Sequence, residues 1–216
     1  MADIPCILVT ISRQFGSGGA YIGQAVAKRL GYKYIDREIL SKAARYLGQE
    51  EEALSGREER VGGFWENFFN AFSGGIPEAG YVPPAMRPVY DRDLFDAEAM
   101  IINEMADMHN AVIVGRCGFH VLKERPGVAN VFIHAPKDFR IRRAMEMYKI
   151  PAMEDAVSLV DEMDRERSNF IRAMTGADWT DARNYHVAID IGRAGFATAE
   201  EMILRLAESV KRGLGL

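Results

Sequence analysis

The sequence predicts an α/β fold in which a parallel sheet is flanked by helices and a glycine-rich turn follows the first strand. Three observations carry that prediction. Ile7-Leu8-Val9-Thr10-Ile11 is a short unbroken run of apolar and β-branched residues, the pattern of a strand buried on both faces. Gly16-Ser17-Gly18-Gly19 follows at once, and Ile22, Val26 and Leu30 then recur at helical spacing until Gly31 stops the helix. Strand and helix patterns go on alternating along the chain, as they do in proteins built on parallel sheets.

The remaining elements fall in order. Tyr32 to Ile35 is a second short strand, and Asp36 is placed to cap a helix running through Glu38, Ile39 and Leu40 to about Leu47. From about Gly48 to Pro88 the character changes to charged residues, paired glycines and prolines, and an aromatic cluster of Phe64, Trp65, Phe68, Phe69 and Phe72. This segment, residues 48–90, reads as an insertion. Aromatic spacing of three and four marks a helix face, so the cluster is read as a local core or a subunit contact, which allows a homo-oligomer. Asp91 to Met108 predicts a long helix, Ala111 to Gly115 a third strand and Val128 to His134 a fourth. Helical and charged patterns run over residues 138–180, first as Asp138 to Tyr148 and then as Pro151 to Met174. Tyr185 to Ile191 is a fifth strand, and a last helix runs from about Thr198 to Lys211.

At 216 residues the chain suits one well-cored domain with inserted elements. A formal net charge of -4 argues against non-specific nucleic-acid binding, so any anion site is local. Cys6 and Cys117 are too few for a disulfide framework and have no metal-ligand spacing, which fits a reducing, cytoplasmic setting. The apolar run near the start is too short to span a bilayer and lacks the basic start of a signal peptide, and no membrane partner is expected. His109, His120, His134 and His186 are scattered, and none is assigned to a metal.

A glycine turn between a parallel strand and a helix lets backbone N–H groups close around phosphate, helped by the positive end of the helix. The expectation is that amides from Phe15 through Ala20 converge on one anion. Against the phosphate-loop pattern G-x-x-x-x-G-K-[ST], Gly18 takes the second glycine position, Arg13 stands where the first glycine belongs and Gly19 stands where the lysine belongs. With one extra residue allowed, Tyr21 stands at the hydroxyl position. The dinucleotide pattern G-x-G-x-x-G fits worse, because Tyr21 falls on its third glycine. Arg13 is a permanently charged fork able to replace the missing lysine. The expected nucleotide-binding residues are Gly16, Ser17, Gly18, Gly19, Ala20 and Tyr21, with a tight strand-to-helix turn as the plainer reading.

Taken together, Ile11-Ser12-Arg13-Gln14-Phe15-Gly16-Ser17-Gly18-Gly19, Tyr34-Ile35-Asp36-Arg37-Glu38-Ile39-Leu40, Ile113-Val114-Gly115-Arg116, Val131 to Pro136 with Arg140 and Arg143, Asp164 to Arg167, and Trp179-Thr180-Asp181 with Asn184-Tyr185 resemble the cytidylate kinase-like family. The resemblance spans about residues 5–205 and is weakest from Gly48 to Pro88. It implies a P-loop NTPase type fold with a five-stranded parallel sheet, an acceptor-binding insertion after the second strand and an Arg-containing lid over residues 138–180. It further implies ATP and Mg2+, and a CMP-like acceptor approached by Asp36 and held by Gly115 and Arg116. Arg165 and Arg167 would clamp phosphates from the lid. The chain departs from the family at Gly19, where the lysine stands, at Tyr21, where a threonine-type hydroxyl stands, and at Cys117, where an Asp follows the Gly-Arg pair.

Each of these residues also has a plainer reading. Asp36 serves equally as an N-cap, Arg116 as a structural ion pair, and Arg140 and Arg143 as a solvated face laced with Glu146. Asp164, Arg165 and Arg167 read equally as a surface charge run, and Trp179 as the residue that packs the lid's return onto the core. Three functions follow: an ATP-dependent kinase of a CMP-like acceptor, a nucleotide-binding regulator that has lost transfer along with the lysine, or an assembly protein whose loop is empty.

Overall fold

A computed structural model describes residues 5–36 and 92–216. The helix expected after Asp36, the inserted segment and its aromatic cluster lie outside the described residues. Those described form β1 (Leu8–Arg13), α1 (Gly19–Leu30), β2 (Lys33–Ile35), α2 (Arg92–Met108), β3 (Ala111–Val114) and the four-residue α3 (Gly118–Val121). They continue as β4 (Val128–His134), α4 (Lys137–Tyr148), α5 (Met153–Thr175), a 3-10 turn (Ala182–Asn184), β5 (Val187–Asp190), α6 (Ile191–Ala194) and α7 (Phe196–Gly213).

All five strands are parallel, in the order β2-β3-β1-β4-β5. Central β1 pairs with β3 through Leu8 to Ile11 and with β4 through Leu8 to Arg13. The chain leaves β1 towards the β2 edge and leaves β4 towards the β5 edge, so a crevice opens outside the carboxyl ends of β1 and β4, the place where open α/β sheets bind ligands.

Alternation along β1 decides which helices cover each face. Val9 and Ile11 pack with Ile22, Val26, Ile203 and Leu204 of α1 and α7, while Leu8 packs with Ile101, Ile102 and Met105 of α2. Phe119, Phe132, Phe170 and Trp179 form a separate aromatic core under α5, and Trp179 meets Phe132 edge-on at 5.6 Å. A fourth core of Phe15, Ile141, Ala144, Ala156, Val160 and Met163 holds the α4–α5 hairpin against the glycine turn.

The fifth strand is shorter than the sequence predicts, and the last helix starts two residues earlier, at Phe196. Two four-residue helices, α3 and α6, have no sequence signature because four residues show no periodicity. The second is fixed by Asp190, whose carboxylate accepts the Gly192 N–H at 2.9 Å. Among the described residues no helix is long and apolar enough to cross a membrane.

Candidate functional site

The turn from β1 to α1 is held open by its own hydrogen bonds. Gln14 N–H donates to Ile133 C=O at 3.0 Å, and the Gln14 side chain accepts the Ala135 N–H at 3.3 Å, tying the turn to the end of β4. Ser17 N–H and hydroxyl both donate to Gln14 C=O, at 3.3 and 2.8 Å. Phe15 N–H donates to Asp164 at 2.7 Å. The expected convergence of every amide from Phe15 to Ala20 therefore needs correcting: Phe15 and Ser17 point elsewhere.

What remains is a set of five donors. Among the described residues the amides of Gly16, Gly18, Gly19, Ala20 and Tyr21 have no hydrogen-bond acceptor, and the α1 N-cap, Gly18, provides no side chain to cap them. Backbone donors at a helix start are normally satisfied by caps, water or a ligand. Here they gather at the positive end of a 12-residue helix, beside the crevice.

Cations are drawn to the same place. The stem of Arg13 lies on Gly19, where a Cβ would come within 2.6 Å of the Arg13 Cβ and 2.8 Å of its Cγ. Its guanidinium lies against Gly115 at the end of β3, where a Cβ would overlap Nη1 and stand 3.0 Å from Cζ. Gly115 has φ +81°, a further reason for glycine there. Arginine at 13 and the lack of a lysine at 19 are thus one arrangement, because the two side chains compete for the same space.

Arg167 of α5 donates to Arg13 C=O at 2.8 Å. Its side chain is 17 % exposed; burial and then the charge of Arg13 lower its pKa to about 9, which leaves it a cation at neutral pH. Arg143 of α4 lies 4.8 Å over the Phe196 ring and close to Gly18, and burial lowers its pKa too. No carboxylate among the described residues lies within salt-bridge distance of Arg143. Arg140 is buried and donates to Ala135 C=O at 3.1 Å and Phe15 C=O at 3.2 Å, so its fork is a strut and not part of a solvated face.

The other expected residues divide. Asp36 is buried just past β2, and its charge adds to the burial that raises the Tyr34 hydroxyl pKa, while Arg13 opposes it; Asp36 and Arg13 thus each lie within electrostatic range of Tyr34. Arg116 is ion-paired with Glu98 of α2, the two side chains 7 and 3 % exposed, and stacks 4.9 Å over Phe170. Arg116 and Cys117 both have positive φ, 50° and 56°. Burial pushes the Cys117 thiol up to about 12, which keeps it protonated at neutral pH. Arg165 is exposed on the outer side of α5, apart from Arg167. Tyr21 packs its ring against Phe196 at 5.3 Å. Arg13 and Arg167 meet at the loop, Asp36 lies by Tyr34, Arg116 is paired with Glu98 and Arg165 is exposed.

Sequence reasoning missed Gln14, Arg143 and Phe196 as neighbours of the loop. Arg140 and Arg143, three apart, carried a signal, but helix spacing alone does not say which way a basic face points. The donor set fits a polyphosphate: five amides and the cations Arg13, Arg143 and Arg167. Among the described residues no group of three or more His, Cys, Asp or Glu side chains is arranged to hold a metal.

The family model described as cytidylate kinase-like matches residues 8–193. An uncharacterized protein from Eubacterium ventriosum ATCC 27560 has the same fold, with a TM-score of 0.70 and 23% identity over 94% of this chain and 99% of that one. A shikimate kinase from Bacteroides thetaiotaomicron is similar at TM-score 0.49 and 15% identity, over 94% and 98% of the two chains. A gluconokinase from Sinorhizobium meliloti 1021 is similar at 0.45 and 19%, over 98% and 95%. No curated protein matches the chain. The chain belongs to the cytidylate kinase-like family, and its parallel sheet with a glycine turn after β1 is a P-loop kinase fold.

Proposed function

We propose that this member of the cytidylate kinase-like family is an ATP-dependent phosphotransferase that passes the γ-phosphate of ATP to CMP, dCMP or a related small acceptor. One observation carries the reading: five amides without acceptors among the described residues at the start of α1, crossed by the Arg13 side chain where a lysine would otherwise lie. Phosphoryl transfer asks the protein for positioning and for positive charge around the reacting oxygens. The amides of Gly16 and Gly18 to Tyr21 hold the polyphosphate, and Ser17 braces the loop from inside. Arg13 supplies the cation, with Arg143 and Arg167 beside it. Bound Mg2+ would supply charge neutralisation for the transferred group. Asp36 is assigned to orient the acceptor or to hold a water on that ion. Arg116 serves the acceptor side only after leaving Glu98, and Arg165 meets phosphate only if the lid turns it inward.

In this reading residues 1–216 are one kinase domain, with residues 48–90 as the acceptor-side segment and residues 138–180 as the lid. A cytoplasmic setting is supported by two free cysteines. A second reading, nucleotide binding without fast transfer, is favoured by Gly19 and by the inward-turned Ser17 hydroxyl. Coupled ADP release with ATP, Mg2+ and each of CMP, dCMP, UMP, AMP and GMP separates the two. Clear turnover with one acceptor supports the kinase. Saturable ATP binding without turnover supports the second reading, and no thermal shift with any nucleotide removes both.

A further inference from the structure

Phe15 is the loop residue whose two peptide groups are both held by side chains from outside the loop. Its N–H donates to Asp164 Oδ1 at 2.7 Å, and its C=O accepts from Arg140 Nη1 at 3.2 Å. The same Arg140 nitrogen donates to Asp164 Oδ2 at 2.5 Å. Arg167 Nη1 lies 3.5 Å from Asp164 Oδ1 while donating to Arg13 C=O. One carboxylate from the middle of α5 therefore joins α5, α4 and both sides of the loop. The apolar core of Phe15, Ile141, Ala144, Ala156, Val160 and Met163 packs the same three elements behind it.

We propose that Asp164 is a positioning residue of the nucleotide site. Through the Phe15 amide and the forks of Arg140 and Arg167 it fixes the loop in the shape that turns the Gly16 and Gly18 to Tyr21 amides towards a phosphate. The inference rests on the triphosphate reading of the loop. A carboxylate beside a polyphosphate site is electrostatically adverse, so attraction for the ligand does not explain Asp164. Its hydrogen bonds do. Without that acceptor the peptide before Phe15 is held only through its C=O, on which the Ser17 N–H and hydroxyl donate, and a peptide that turned would present that carbonyl oxygen near the anion.

Two variants separate reach from charge. Asp164→Asn keeps the length and removes the charge, whereas Asp164→Glu keeps the charge and shifts it by one methylene. Calorimetric titration of each full chain with inorganic tripolyphosphate and with ATP and Mg2+ reads the effect. The unmodified protein binds, and both variants bind about tenfold more weakly or worse, as loss of a charge-assisted hydrogen bond predicts. Electrostatics alone predicts the opposite sign for Asp164→Asn, because removing a carboxylate favours an anion. Equal or tighter binding by that variant overturns the proposal, and so does a lowered unfolding midpoint with unchanged dissociation constants well below it. If Asp164→Asn does not fold, Asp164→Glu, whose arginines keep a carboxylate partner, decides alone. Binding by all three proteins with one affinity overturns this inference only; no binding by the unmodified protein overturns the loop reading with it.

Discussion

The turns after β1 and β3 end neighbouring strands, and each carries an arginine beside glycine, yet they solve opposite problems. At the β3 turn the charge is matched inside the protein: Arg116 meets Glu98 in a nearly dry pocket, roofed by Phe170. At the β1 turn the donors exceed the acceptors. Five amides lack partners among the described residues, Arg13 and Arg143 lie against the glycines of the loop, and Arg167 donates to the Arg13 C=O. A cation that brings its own buried carboxylate is part of the architecture, whereas donors left over at a helix start are shaped for a ligand.

The comparison breaks most visibly at Glu98. Replacing it by alanine removes the carboxylate from a buried ion pair with Arg116, and loss of one partner of such a pair costs about 3 to 5 kcal/mol. Urea unfolding of Glu98→Ala should show that loss with ATP affinity unchanged in the folded protein. A loss under about 1 kcal/mol would mean the β3 turn is wet and open after all. Arg13→Ala should show the reverse pattern, with triphosphate affinity falling about ten- to a hundredfold and the unfolding midpoint of the empty protein little moved. Calorimetry checks it, and an unchanged dissociation constant removes Arg13 from the site.

Gly115→Ala sharpens the boundary between the two turns. A methyl group there takes a strained φ and pushes against the Arg13 guanidinium, so stability falls by about 1 to 2 kcal/mol and triphosphate affinity falls less than in Arg13→Ala. Paired melting and binding curves read both numbers. The smallest effect lies away from both turns, at His120. Burial and then Lys123 lower its pKa below the ordinary 6.5. The unfolded chain therefore takes up a proton first as pH falls, and the stability tied to neutral His120 is full above 6.5 and lost below it. Denaturation curves at about pH 7.5 and about pH 5 should differ less for His120→Gln than for the unmodified chain. An identical slope in both would remove the assignment.

The fold was legible because its signals are local. Continuous β-branched runs at Ile7 to Ile11 and Ala111 to Val114, and apolar spacing from Ile22 to Leu30, each depend on neighbours within one element. The loop was legible for the same reason, since glycines between strand and helix are contiguous in the chain. What escaped depends on partners far apart in sequence. Nothing around Arg116 announces Glu98, and nothing in Asp164-Arg165-Glu166-Arg167 says that Asp164 and Arg167 turn to the loop while Arg165 faces water. Lengthwise position on a helix is readable, but the direction of a charged face is set by packing. Phe196 escaped because it opens a helix whose start carries no capping side chain.

The central claim is that the amides of Gly16 and Gly18 to Tyr21 are held ready for phosphate while that of Phe15 is already taken by Asp164. Titrating the nitrogen-labelled chain with ATP and Mg2+ and following backbone amide resonances tests it directly. The account predicts saturable shifts at Gly16, Gly18, Gly19, Ala20 and Tyr21, with Phe15 the least moved of the loop. Saturation elsewhere with these five amides unmoved would contradict it.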